Sequence, residues 1–170
     1  AGSEIDEIAK DYNVEVVRIK NSHAAMMEST LDEAVKFVGG SYGGFIFTDF
    51  LFAADAMFTV GQILEMLAKS NLRISDLNKK LPQYYQKSII VHVPWEKKGT
   101  IMRRAMEASE GMERMLVEGV KIFKEEGSVL LYPEKESANF VVLSNSKEPE
   151  AAESLANYYA GLITQWKEEK

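Results

Sequence analysis

Apolar residues recur along this chain at two spacings, one near 3.6 and one near 2, and the alternation between them predicts an α/β protein. Ile5, Ile8 and Ala9 repeat at helical spacing behind Ser3, a candidate cap, which predicts a helix over residues 3–12, and "NVEVVRI" after it reads as a strand. "SHAAMMESTLDEAVKFV" carries Met26, Met27, Leu31, Ala34, Val35 and Val38 near the helical period, so a second helix is expected, stopped by Gly39 and Gly40. "GFIFTDF" is a short strand. Residues 54–69 put Met57, Val60, Ile63, Leu64 and Leu67 on one face, as in a helix packed on a sheet.

The polar stretch "SNLRISDLNKKLPQYYQK" interrupts this pattern, with a helix start at Ser75 and a proline at Pro82. It predicts a short helix and then a boundary, giving one domain over 4–82, a linker over 83–87 and a second domain over 88–170. "SIIVHV" opens the second domain as a strand, and Pro94 starts a helix with Ile101, Met102, Ala105 and Met106 on one face. "MLVEGVKIFKEEGSVLLYPE" reads as two or three strands with turns at Glu118-Gly119 and Glu126-Gly127, and "NFVVLSNS" as another. A terminal helix begins near Pro149 and buries Leu155, Tyr158, Tyr159, Leu162, Ile163 and Trp166. The second domain therefore has the order β-α-β-β-β-α.

Composition removes several classes of function. The 170 residues are 46% hydrophobic, enough for a sizeable core, and contain no cysteine, which excludes disulfides and thiolate metal sites and makes the cytoplasm the natural address. His23 and His92 are too far apart to form a local zinc pair, so no metal is expected in this chain. A net charge of −6 without a basic, aromatic-interleaved stripe argues against nucleic acid as a partner. No apolar run approaches the roughly 20 residues of a spanning helix, so no membrane partner is expected. "AGS" at residues 1–3 reads as a cloning remnant.

The stretch "GGSYGGFIFTDF" puts four glycines before an aromatic run, which suits either a ligand loop or a plain connection between a helix and a strand. Together with "VEGVKIFKEEGSVLLYPEKES" and the element order, it resembles the last two domains of the phosphohexomutases, the family of phosphomannomutase and phosphoglucomutase. The resemblance implies an α/β/α third domain, truncated at its N-terminus, followed by a small two-layer α+β fourth domain. It also implies isomerase chemistry in carbohydrate metabolism, with a sugar loop of the form G-G-E-x-S-G-H and a phosphate loop of the form R-P-S-G-T-E-P. The matching segments are Gly39, Gly40, Ser41, Tyr42, Gly43, Gly44 and Phe45, and Tyr132, Pro133, Glu134, Lys135, Glu136 and Ser137. Lys20 and His23 fall where the family often keeps a basic residue and a histidine, and stand as candidate anion contacts.

The departures from the family pattern are chemical. Ser41, Gly43 and Phe45 replace the glutamate, serine and histidine of the sugar loop; Tyr132, Glu134, Lys135 and Glu136 replace the arginine, serine, glycine and threonine of the phosphate loop. Phosphate needs converging cationic or N–H donors, whereas two like charges about 4 Å apart repel by ~1 kcal/mol in water and ~4 kcal/mol near a protein surface. The family's phosphoserine segment and aspartate-rich magnesium site, which lie in its first two domains, have no counterpart in the sequence. No catalytic residue and no cofactor is therefore assigned to this chain, and Mg2+ is expected only in further domains of a parent enzyme.

Within that resemblance, "GGFIFTDFLFAADAMFTVGQILEML" with a decayed "YPEKES" is most similar to the mutase-like tail of bacterial mannose-1-phosphate guanylyltransferase fusions. This implies a non-catalytic scaffold, assembly or regulatory region, joined to an N-terminal nucleotidyltransferase domain and meeting a phosphosugar weakly at most. Two alternatives stay open: the substrate-binding half of an active mutase with atypical loops, and a homotypic interaction module forming a homo-oligomer. Plainer roles stand beside the sharper ones: Asp55 as a first-turn charge rather than a base, His23 and Lys20 as solvated termini, and the eight methionines as core filler.

Overall fold

A computed structural model describes residues 4–40 and 43–169. The chain divides after Pro82 into two compact units, 1–82 and 83–170.

The second unit owes its architecture to the alternation of apolar residues in its strands. β3 (Tyr85–His92), β4 (Arg114–Met115), β5 (Val120–Lys124), β6 (Gly127–Pro133) and β7 (Asn139–Ser146) form an antiparallel sheet of order β3-β7-β6-β5-β4. Val120, Ile122, Val129, Leu131, Phe140 and Val142 share one face of the pleat and meet α5 (Trp95–Ala108) and α6 (Pro149–Glu168). Those helices contribute Ile101 and Ala105, and Leu155, Ala156, Tyr159, Ala160 and Ile163, to one continuous core. Pro149 occupies the first turn of α6, where its missing N–H costs nothing. The result is the expected two-layer α+β domain, with a two-residue strand, β4, added at its edge.

The first unit holds α1 (Glu4–Asp11), α2 (His23–Ser29), β1 (Phe37–Gly39), β2 (Phe45–Phe47), α3 (Ala56–Ser70) and α4 (Ile74–Lys80). β1 and β2 pair antiparallel, and a small core gathers Met26, Val38 and Ile46 with Ile19 and Val35 against it. Phe37 stacks on Phe45, and Phe50 stacks on Phe58 of α3 with ring centroids 3.9 Å apart.

Several local expectations give way here. "NVEVVRI" forms no strand: the only strand pairing in this unit, among the described residues, is β1 with β2. The helix expected over 22–38 ends at Ser29, where the hydroxyls of Ser29 and Thr30 bond back to the carbonyls of Met26 and Met27, and Phe37–Gly39 turns into a strand. β3 begins at Tyr85, so residues 85–87, read as linker, belong to the sheet. The apolar face of α3 is not packed: Met57 is 87% exposed and Leu64 62%. On α6, Tyr158 faces solvent while Tyr159 is buried, and Met106 of α5 is also exposed. Ser3, the candidate cap, lies outside the described residues.

Candidate functional site

The glycine loop is the tip of a β-hairpin rather than a helix-to-strand connection. Register pairs Gly39 with Phe45, and Gly40 and Gly44 close the turn through Gly40 N–H to the Gly44 carbonyl at 3.1 Å. A Cβ on Gly40 would lie 2.7 Å from the Gly43 carbonyl oxygen, and Gly43 sits at φ +96°, so both positions require glycine for backbone reasons. Met26 supports the tip from beneath, and the exposed Phe45 ring stacks on Phe37 where the family pattern has a histidine. Ser41 and Tyr42, the remaining members of the predicted sugar loop, lie outside the described residues.

The second loop leaves β6 at Pro133 and enters β7 at Asn139. Its ends are tied by Glu134 N–H to the Asn139 carbonyl at 3.1 Å, and by Val93 N–H to the Ala138 carbonyl at 2.9 Å. Inside this frame the Glu134 carboxylate turns back on its own loop. One oxygen, Oε2, accepts from the Ser137 hydroxyl and from Asn139 Nδ2 at 3.0 Å. These two bonds, the Ser137 one foremost, hold the Glu134 carboxyl below the usual carboxylate range; the Lys98 charge adds to them, and desolvation opposes.

Lys98 was not singled out from the sequence, yet it fixes the loop from below. Only 8% exposed, it reaches from α5 across the face of Trp95, 3.6 Å from the ring centroid, and donates to the carbonyls of Glu134 at 2.6 Å and of Ser137. The signal was present in the spacing: positions 98, 101 and 105 fall on one helical face, which makes Lys98 a charge on the core side of α5. The loop's other cation, Lys135, pairs with Glu118 at 3.3 Å, and Glu136 is exposed. Tyr132, in the arginine's place, belongs to β6 and is paired in register with Val141.

The structure does not bring the remaining candidates into a site. Lys20 is exposed in the segment before α2. His23 is exposed at the start of α2, and the cap is the neighbouring Ser22, whose hydroxyl accepts from Ala25 N–H at 3.2 Å. Asp55 is the side-chain cap of α3, accepting from Phe58 N–H at 2.6 Å, and Asp49 makes a solvent-exposed ion pair with Lys36. Among the described residues no three His, Cys, Asp or Glu side chains gather in a manner that could hold a metal. Also among the described residues, no helix is long and apolar enough to cross a membrane.

Comparison with known proteins gives these loops their context. Residues 2–85 match the family model of phosphoglucomutase/phosphomannomutase, alpha/beta/alpha domain III. The chain is 30% identical over 149 residues to a phosphoglucomutase/phosphomannomutase of Thermococcus kodakarensis, covering 87% of this chain and 33% of that protein. It is 27% identical over 132 residues to a phosphoglucosamine mutase of Methanocaldococcus jannaschii, covering 76% of this chain and 30% of the relative. In fold it is similar to a phosphoglucomutase/phosphomannomutase family protein of Burkholderia thailandensis, with a TM-score of 0.81 at 14% identity over 99% of this chain and 36% of that one. Residues 2–85 thus match the third-domain family of the phosphohexomutases, and the chain spans about a third of the length of the curated relatives it matches.

Proposed function

We propose that this region no longer holds a phosphosugar as active mutases do, and that it serves a larger sugar-phosphate enzyme of nucleotide-sugar metabolism as a scaffold, in assembly or in regulation of an attached catalytic domain. The reading rests above all on Glu134, which stands in place of the phosphate-loop serine and takes up hydrogen-bond donors of the loop with its own carboxylate. A charge fixed there repels a phosphate dianion, and Lys135, already paired with Glu118, is poorly placed to offset it. The sugar loop keeps its glycine backbone and carries Phe45 in place of a polar group. On this reading the partner is an N-terminal catalytic domain, of the mannose-1-phosphate guanylyltransferase kind, working in the cytoplasm.

A second reading is favoured by the names of the relatives, which are mutases: the region would be the substrate-binding half of an active phosphohexomutase with atypical loops. Isothermal titration with mannose 1-phosphate, glucose 1-phosphate and glucosamine 1-phosphate separates the two. The scaffold reading expects no micromolar binding of any of the three. Micromolar binding that disappears in Lys135→Ala would replace it with the second.

A further inference from the structure

We propose that the outer edge of β3 is a homotypic interface, at which the strands of two copies of this chain pair antiparallel about a two-fold axis and join their sheets into one. The inference uses neither ligand loop, so it stands independently of the reading above.

The edge is open and its phase is fixed. Among the described residues β3 has β7 as its one neighbour, and it exposes Tyr85 to Ser88, Ile90 and His92, whereas β7 inside the sheet exposes none of its residues. Val93 N–H donates to the Ala138 carbonyl at 2.9 Å, one step past the pair His92–Asn139 in the same register, so the odd-numbered residues of β3 exchange bonds with β7. Gln86, Ser88, Ile90 and His92 therefore turn their backbone N–H and C=O groups outward. Native edges are usually blunted by charges, by proline or by very short strands. The far edge of this sheet ends in β4, two residues long, but between Pro82 and Pro94 the chain has no proline or glycine, and Lys87 is its only Asp, Glu, Lys or Arg.

A second copy fits this edge by symmetry and by charge. With the two-fold axis at Ile89, Gln86 falls opposite His92 of the other copy and Ser88 opposite Ile90, so every outward residue meets an outward residue and the whole ladder can form. Ile90, 61% exposed, gains cover in that register. Lys87 is already paired with Glu153 of α6 at 3.2 Å, which leaves the seam neutral although the chain carries a net charge of −6. A register centred on Lys87 would instead set two like charges against each other. Two-fold pairing consumes the edge, so the assembly closes at a dimer.

The test measures the mass of the full chain by sedimentation velocity, from low micromolar to submillimolar concentration, together with amide hydrogen exchange. The wild type is expected to pass from monomer to dimer as concentration rises. Across that change the N–H groups of Gln86, Ser88, Ile90 and His92 are expected to go from fast to slow exchange, while those of Lys87, Ile89 and Val91, bonded to β7, stay slow throughout. Ser88→Pro, which removes an outward N–H, and Ile90→Lys, which sets a charge on the seam, are each expected to raise the concentration needed for dimer about tenfold or more, with the circular dichroism spectrum unchanged. A chain that stays monomeric over the whole range overturns the inference and leaves the edge to a strand of another protein. A dimer whose four outward amides exchange at a rate independent of concentration overturns it too, since its interface would lie elsewhere, as on the exposed face of α3. Neither result needs a variant to fold. Neither changes a phosphosugar titration, so this failure and failure of the scaffold reading are distinguishable.

Discussion

Glu134 shows how one residue can be legible in type and illegible in role. The sequence marks it as an acid standing where the family has a serine, and charge alone says it repels phosphate; that its carboxylate is bonded within the turn depends on Asn139, which opens the next strand, and on Lys98, 36 residues earlier on α5. This has a pH consequence with a definite sign. The folded carboxyl is held below its unfolded value, chiefly by the Ser137 hydroxyl and then by Asn139, so the unfolded chain binds more protons in the window between the two values. The contribution to stability is fully present above the unfolded value and is lost as pH falls through the lowered folded one. Both tryptophans, Trp95 and Trp166, lie in the second unit, so fluorescence-detected urea unfolding reports that unit selectively. The midpoint is expected to fall on acidification in the wild type and less steeply in Glu134→Gln; parallel acid limbs would show that Glu134 makes no such contribution.

At the scale of elements, helical periodicity located α3, α5 and α6 closely, because each carries a long apolar stripe and a recognisable start at Asp55, Pro94 or Pro149. It failed over residues 30–39, where Val35 and Val38 continue the helical spacing numerically, while hydroxyl groups at Ser29 and Thr30 end the helix and cross-strand pairing claims Phe37–Gly39. Periodicity also says which residues share a face and not whether anything covers it, which is why α3 and α6 look alike in sequence and differ in structure. Ile163 of α6 is fully buried, whereas Met57 of α3 is 87% exposed. Ile163→Ala is expected to destabilise the second unit by about 2–5 kcal/mol, and Met57→Ala to change stability by no more than about 0.5 kcal/mol. Urea unfolding followed by tryptophan fluorescence for the first and by far-UV circular dichroism for the second would check this; comparable losses would mean that the α3 face is buried in solution.

The same asymmetry extends to the whole molecule. The second unit closes a five-stranded sheet over two helices around a core of fourteen buried residues, while the buried cluster of the first, among the described residues, is Met26, Val38 and Ile46. Buried apolar area is what offsets the entropy of ordering a chain, so the two units are expected to differ in autonomy. Residues 83–170 expressed alone should unfold cooperatively, with a sigmoidal urea transition and dispersed amide resonances. Residues 1–82 alone, with so small a buried cluster, should unfold over a broad range without a steep transition. A steep, cooperative transition for 1–82 in isolation would mean that its exposed apolar residues, Met57, Val60 and Leu64 among them, find cover that the single chain does not provide, and its dependence on protein concentration would then identify self-association as the source.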